Sequence, residues 1–147
     1  MIEYGVLCIE DQTEGLAAVR KMLPSPQFTE VFLETVPDEN APIRRVLRTM
    51  VELRALDLVF TIGGSGVGIR ERVPEVTLEL IERQIPGLAE LVRLAGIQKS
   101  RRAALWRGIV GYKGRTLVVN LPDWETAVAI EAIMPVLPIT LKNLGAQ

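Results

Sequence analysis

The 147-residue chain contains no histidine. That absence removes Ser–His and Cys–His nucleophilic pairs, imidazole acid–base work and histidine-ligated zinc. Cysteine occurs once, as Cys8 in the apolar run Val6-Leu7-Cys8-Ile9, so no internal disulfide can form. It reads as a small buried apolar side chain, not a nucleophile, and cytoplasm is the expected location. Aromatic residues are 5% of the chain, leaving the core to Leu, Val and Ile. The apolar runs are strand-sized, which excludes a transmembrane helix. Neither a basic start nor a small-residue cleavage site follows Met1, so no signal peptide is expected. Excess charge is also missing: the net charge is −1 and the pI about 5.6, which argues against nucleic acid as a partner. Catalysis, if present, rests on carboxylates, Lys, Arg, backbone amides and an oxygen-bound Mg²⁺. Such an inventory suits phosphate chemistry better than acyl transfer.

What is present is a globular composition, 48% hydrophobic and 24% charged, of a size for one domain over 1–147. The pattern predicts strands over 3–9, 29–36 and 56–62 and helices over 14–23 and 41–53. Asn40 is expected to cap the second helix. A third helix is read over 75–84, and another over 87–94 that Gly96 ends. Two short strands, 107–112 and 116–120, flank the turn dipeptide Lys113-Gly114. A last helix, capped by Asp123, breaks in two at Pro135 and Pro138. Strand and helix alternate through the first half, so the expected fold is an α/β three-layer sandwich. Its sheet is mainly parallel but mixed, with helices on both faces.

The densest signal is Asp57-Leu-Val-Phe-Thr-Ile-Gly63-Gly64-Ser65-Gly66, a strand without polar alternation that runs into glycines. Such a strand suits a sheet covered on both faces, and ligands of open α/β sheets bind beyond the strands' carboxyl ends. Gly63 to Gly66 lack both the Walker A and the dinucleotide pattern. Two readings stand: a tight chain reversal, or a cradle of amides for an anion. Arg70, Glu71, Arg72 and Glu75 follow, where the dipole of the third helix favours negative charge. Asp38 ends the second strand on the same sheet edge, either as a helix cap or, with Glu71, as a carboxylate pair for Mg²⁺. Asp11 shares that edge. Lys99, Arg101, Arg102 and Arg115 read as a solvated basic surface. Arg107, beside Trp106, is the better anion ligand, and Asn120 either binds a ligand or closes the turn.

Taken in order, these blocks resemble the molybdopterin adenylyltransferase family, the Mog/MoaB proteins, over essentially the whole chain. The carriers are Val36-Pro37-Asp38-Glu39, Gly63 to Gly66, Arg70-Glu71, Val73-Pro74-Glu75, Ile85 to Glu90, Arg107, Gly111, Lys113 to Leu117 and Asn120-Leu121-Pro122. The resemblance implies the mainly parallel α/β sandwich, assembly as trimers or hexamers built from them, and a role in molybdenum cofactor biosynthesis. It implies molybdopterin as ligand and ATP with Mg²⁺: the terminal phosphate of molybdopterin attacks the α-phosphorus and pyrophosphate leaves. Asp38 and Glu71 would then be the catalytic and Mg²⁺-facing carboxylates. Ligand contacts would come from Gly63, Gly64, Ser65, Gly66, Arg70, Pro74, Glu75, Arg107, Asn120 and Pro122, with Lys113 on the pterin phosphate.

The chain departs from the family pattern at defined points. Glu71 replaces an aspartate, Val73 a threonine, Trp106 a serine and Asp123 a glycine; the segment after Glu10-Asp11-Gln12 is shortened. An extra methylene moves a carboxylate by over an ångström, and misplacement of that size costs about 10²-fold in rate. The alternative to an adenylyltransferase is therefore a non-catalytic pterin- or nucleotide-binding or oligomerisation paralogue.

Overall fold

A computed structural model describes residues 1–145. Six strands form one mixed sheet in the order β2-β1-β3-β6-β5-β4. The parallel part is β2 (Phe28–Val36), β1 (Ile2–Ile9), β3 (Leu58–Ile62) and β6 (Thr116–Leu121). β5 (Val110–Lys113) and β4 (Arg83–Gln84) add antiparallel strands at one edge. The apolar runs of β1, β3 and β6 are what a sheet covered on both faces requires. Alternation divides them: Val6, Cys8, Leu58, Phe60, Leu117 and Val119 point into one core, and Leu7, Ile9, Val59 and Val118 into the other. The first core is covered by α1 (Thr13–Met22), α4 (Pro86–Lys99), α5 (Thr126–Ile133) and α6 (Leu137–Leu144); the second by α2 (Asn40–Arg48), its π-helical continuation Thr49–Leu53, and α3 (Val73–Leu80). This is the expected three-layer α/β sandwich, and its parallel pairing places the carboxyl ends of β1, β2, β3 and β6 on one edge.

Four local expectations are corrected. The stretch read as a helix over 75–84 turns extended at Ile81 (ψ 152°), after which Arg83 and Gln84 pair with Tyr112 and Gly111 as β4. Sheet pairing there outweighs a helical spacing. Gly96 does not end α4; it lies inside, where a Cβ would approach that of Ala103 to 2.8 Å, so its small size serves packing. Asn40 is already the first residue of α2, preceded by Glu39, and no side chain caps that end. Asp123 does not cap α5 either: Thr126 opens it, its hydroxyl donating to the Pro122 carbonyl at 2.9 Å. The prolines do divide the last helix, and α5 and α6 meet at a 64° bend. Among the described residues no single helix is long and apolar enough to cross a membrane.

Candidate functional site

The glycine loop begins where β3 leaves the sheet. Gly63 and Gly64 have φ of +88° and +68°, values that cost L side chains energy and glycine none. Space is also restricted, since a Cβ on Gly64 would lie 2.7 Å from Val73 Cγ2. Three loop carbonyls are tied back to the protein. Gly64 O accepts from the Val73 amide at 3.1 Å, Ser65 O from the Arg107 amide at 2.7 Å, and Gly66 O from Arg107 Nε at 2.8 Å. The amides differ. Those of Gly64 and Ser65 belong to buried residues and find no acceptor among the described residues. Backbone N–H groups without a protein partner are uncommon, and successive ones in a glycine turn can make an anion-binding concavity.

Asp38 is buried, and its oxygens accept the amides of Glu71 and Arg72, each at 2.9 Å. It is thus a cap, though for the entry to α3 and not for the helix that follows it in sequence. Its charge offsets the α3 dipole that would otherwise face a ligand. Glu71 sits at φ +43°, unusual for a side-chain-bearing residue. Three bonds hold it there: its amide to Asp38, its carbonyl to Arg107 Nη2 at 2.9 Å, and its Oε1 to the Gly66 amide at 3.0 Å. Burial pushes the Glu71 carboxyl above its ordinary value of 4.5; the Gly66 amide opposes this, and the charges of Asp38 and Asp123 add to it.

Arg107 is a clamp. Besides Gly66 and Glu71 it pairs with Glu75, Nη1 to Oε2 at 2.7 Å, and holds the Glu75 carboxyl below the usual range. Its Nε, Nη1 and Nη2 donate to the loop and α3, so the residue expected as an anion ligand braces the loop in this structure and does not line the cavity. Asn120 is fully buried in β6. Its Oδ1 accepts the Ile109 amide at 2.9 Å, and its Nδ2 donates to the hydroxyls of Thr61 at 3.0 Å and Thr77 at 3.1 Å. It closes the structure from inside. Lys113 pairs with Glu52 beside Arg48, at the β5–β6 turn and hence at the amino end of β6. That is the sheet edge opposite the glycine loop, away from any phosphate bound there.

A cavity of about 210 Å³ opens beside the loop. Gly63, Ser65, Gly66, Glu71 and Pro122 line it, as does Asp123. Arg70, Pro74, Glu75, Arg107, Asn120, Gly64 and Asp38 do not, although Gly64, Asp38 and Arg107 shape the wall from behind. The remaining wall is Val67, Arg102, Leu105, Trp106 and Trp124, none of which sequence reasoning assigns as a ligand contact. Trp124 carried a usable signal, because it follows Pro122-Asp123 off the carboxyl end of β6. Arg102 carried none, arriving from the 3-10 turn Arg101–Leu105 after α4. Arg70, Arg72 and Arg102 are exposed and make no ion pair among the described residues, and of these Arg102 lines the cavity.

No cluster of three or more His, Cys, Asp or Glu able to hold a metal occurs among the described residues. A resident cation site is therefore not built. A Mg²⁺ arriving on a nucleotide needs only one or two protein carboxylates beside the substrate phosphates; Glu71 lines the cavity and fits that lesser demand, whereas Asp38 is buried behind the wall with both oxygens taken by amides and does not.

Comparison with known proteins gives a concordant picture. Residues 13–138 match the family described as "Probable molybdopterin binding domain". The molybdopterin adenylyltransferase of Helicobacter pylori is 32% identical over 148 residues, covering 93% of this chain and 84% of that protein. The molybdenum cofactor synthesis protein cinnamon of Drosophila melanogaster is 33% identical across 98% of this chain, which spans only 26% of that longer protein. Among solved structures, the molybdopterin biosynthesis enzyme MoaB of Thermus thermophilus superposes with a TM-score of 0.91 at 40% identity, covering 100% of this chain and 98% of the other.

Proposed function

Since the chain belongs to the molybdopterin-binding family of molybdenum cofactor biosynthesis, we propose that its cavity takes molybdopterin and Mg-ATP and joins them by adenylyl transfer. Residues 1–147 act as one such domain in a cytoplasmic homo-oligomer, a trimer or a hexamer built from trimers. The observation that carries this reading is that the amides of Gly64 and Ser65, in the loop at the strand-end edge where Ser65 lines the cavity, have no acceptor among the described residues.

In the reaction an oxygen of the molybdopterin phosphate forms a bond to the α-phosphorus, and the bond to the β-phosphate oxygen breaks. The electron pair leaves with pyrophosphate. The nucleophile is already anionic, which removes the need for the histidine this chain lacks. Catalysis is then alignment and charge neutralisation. The loop amides hold phosphate oxygens, Arg107 fixes the loop, and Asp38 fixes the backbone of Glu71. Glu71, which lines the cavity, would hold Mg²⁺, which supplies further neutralisation when bound.

One observation favours a second reading, binding without turnover: Glu71 itself occupies the Gly66 amide. Incubation of the purified protein with Mg-ATP and molybdopterin separates the two. Product and pyrophosphate formed at about 1 s⁻¹ or faster, as is ordinary for enzymes, establish the transferase. Saturable binding of both compounds without product establishes the second reading, and no binding of either removes both.

A further inference from the structure

The charged side chains around the cavity are unequal in number. Glu71 and Asp123 stand on its wall, and the charge of Asp123 adds to the rise of the Glu71 carboxyl. Among the described residues Arg102 is the one cation that lines it. Arg107, the other candidate, already donates from Nε, Nη1 and Nη2 to Gly66, Glu75 and Glu71. The backbone of Arg102 is fixed. Its amide donates to Ser100 Oγ at 3.2 Å, and the next amide, of Ala103, donates to the Ser100 carbonyl at 3.1 Å. Ala103 is buried against Gly96 of α4. At the end of the turn the Trp106 carbonyl accepts from Arg93 Nη2 at 3.1 Å, and the Arg107 amide reaches Ser65 O of the glycine loop at 2.7 Å. The Arg102 side chain is the opposite case. It is exposed and makes no hydrogen bond or ion pair among the described residues.

We infer that Arg102 is a ligand-binding residue, whose guanidinium takes a phosphate group of the ligand beside the open amides of the glycine loop. This inference rests on the reading that the cavity is the ligand site, and it goes further by giving that site its cation. The residue leaves the solvated basic surface to which sequence pattern assigns it. A guanidinium on an anchored turn suits the task, since its planar fork matches two oxygens of one phosphate. It also offsets two carboxyl groups that would otherwise repel an anion from the same cavity. At about 210 Å³ the cavity is below the range usual for a whole drug-sized ligand. It suits the phosphate end, while the rest of the ligand lies outside. A pterin phosphate and the phosphates of a nucleotide share this chemistry, and the test distinguishes them.

Three probes are titrated by calorimetry: AMP, molybdopterin and metal-free inorganic pyrophosphate. The proteins are the wild-type chain, Arg102→Gln, Arg102→Lys and Arg101→Gln. Arg101 is exposed and does not line the cavity, and its replacement changes the net charge by the same amount. Arg102→Gln should weaken at least one probe by about 10- to 100-fold, the scale of a hydrogen bond to a charged group, with its circular dichroism spectrum unchanged. Arg102→Lys keeps the charge without the fork and should fall between Arg102→Gln and wild type. Arg101→Gln should bind as wild type does. Loss for AMP but not molybdopterin assigns the guanidinium to the α-phosphate of a nucleotide; loss for molybdopterin but not AMP assigns it to the pterin phosphate. Loss for both assigns it to a subsite they share, and loss for pyrophosphate alone to the phosphates that leave. Equal affinity of wild type and Arg102→Gln for every probe overturns the inference while the ligand site stands. An equal fall with Arg101→Gln also overturns it, because net charge and not contact would then be responsible. If wild type binds none of the three, the site reading fails as well.

Discussion

A glutamate held at φ +43° with its carboxylate folded onto a glycine loop has two separable effects, one of charge and one of occupancy. The charge effect is on stability. Burial raises the folded-state pKa of Glu71 above 4.5, so the native chain binds that proton more tightly than the unfolded chain does. The associated stability is fully present below about pH 4.5 and is lost as pH rises through the raised value. Glu71→Gln should therefore increase the melting temperature at pH 7, and the gain should vanish in acid; a gain that persists below about pH 4 would contradict this. The occupancy effect is on phosphate. Gln can still accept from the Gly66 amide, whereas Ala cannot. If only charge matters, the two variants bind metal-free pyrophosphate alike. If the side chain occupies the cradle, Glu71→Ala should bind about ten-fold more tightly than Glu71→Gln, the scale of one strong hydrogen bond. Calorimetric titration of both variants decides it.

At the scale of elements, α3 is joined to the sheet by a polar node inside an aliphatic core. Thr61 on β3, Asn120 on β6 and Thr77 on α3 are all fully buried. Removing the amide leaves the Ile109 N–H and two hydroxyls without it, so Asn120→Ala should cost about 3 kcal/mol. Urea denaturation measures that, and the folded fraction should keep its ligand affinity. Unchanged stability with lost binding would return Asn120 to the ligand site. This node also shows where sequence runs out. β1 and β3 were legible from strand-length apolar runs bounded by turn residues and β2 from its alternation, and the glycine loop was legible as a turn whose role, chain reversal or anion cradle, its composition left open. Asn120 was ambiguous because an asparagine at a strand end serves a ligand or the interior equally well. Its partners lie 43 and 59 residues away. Asp38 was legible as a cap, but its helix was not, since Glu71 and Arg72 reach it only through the crossover. β4 was hidden because two residues have no detectable period and follow a true helix directly. Arg102 and Leu105 reach the cavity only through the packing of α4, which local pattern does not encode.

For the whole molecule, the distribution of exposed aliphatic residues bears on assembly. Single exposed leucines need no explanation; grouped ones mark an interaction surface. Leu53 stands at the end of the π-helical turn, 80% exposed, on the α2 side of the sheet. On the other side, Leu91 and Leu94 lie one turn apart on α4, and Leu105 follows in the adjoining 3-10 turn, with Leu94 60% and Leu105 57% exposed. Leu105 also lines the cavity, so a subunit packed here would lie beside the ligand site and exclude water from it. The proposed trimer should sediment at three times the 16.3 kDa chain mass, independent of concentration in the micromolar range. Leu94→Glu places a charge in this surface and should shift sedimentation toward the monomer, with the circular dichroism spectrum unchanged. Leu53→Glu is the matched control and should leave the assembly intact. A concentration-independent monomer for the unaltered chain would refute the trimer. An assembly that withstands Leu94→Glu but falls apart with Leu53→Glu would move the interface to the α2 side, where the cavity has no part in it.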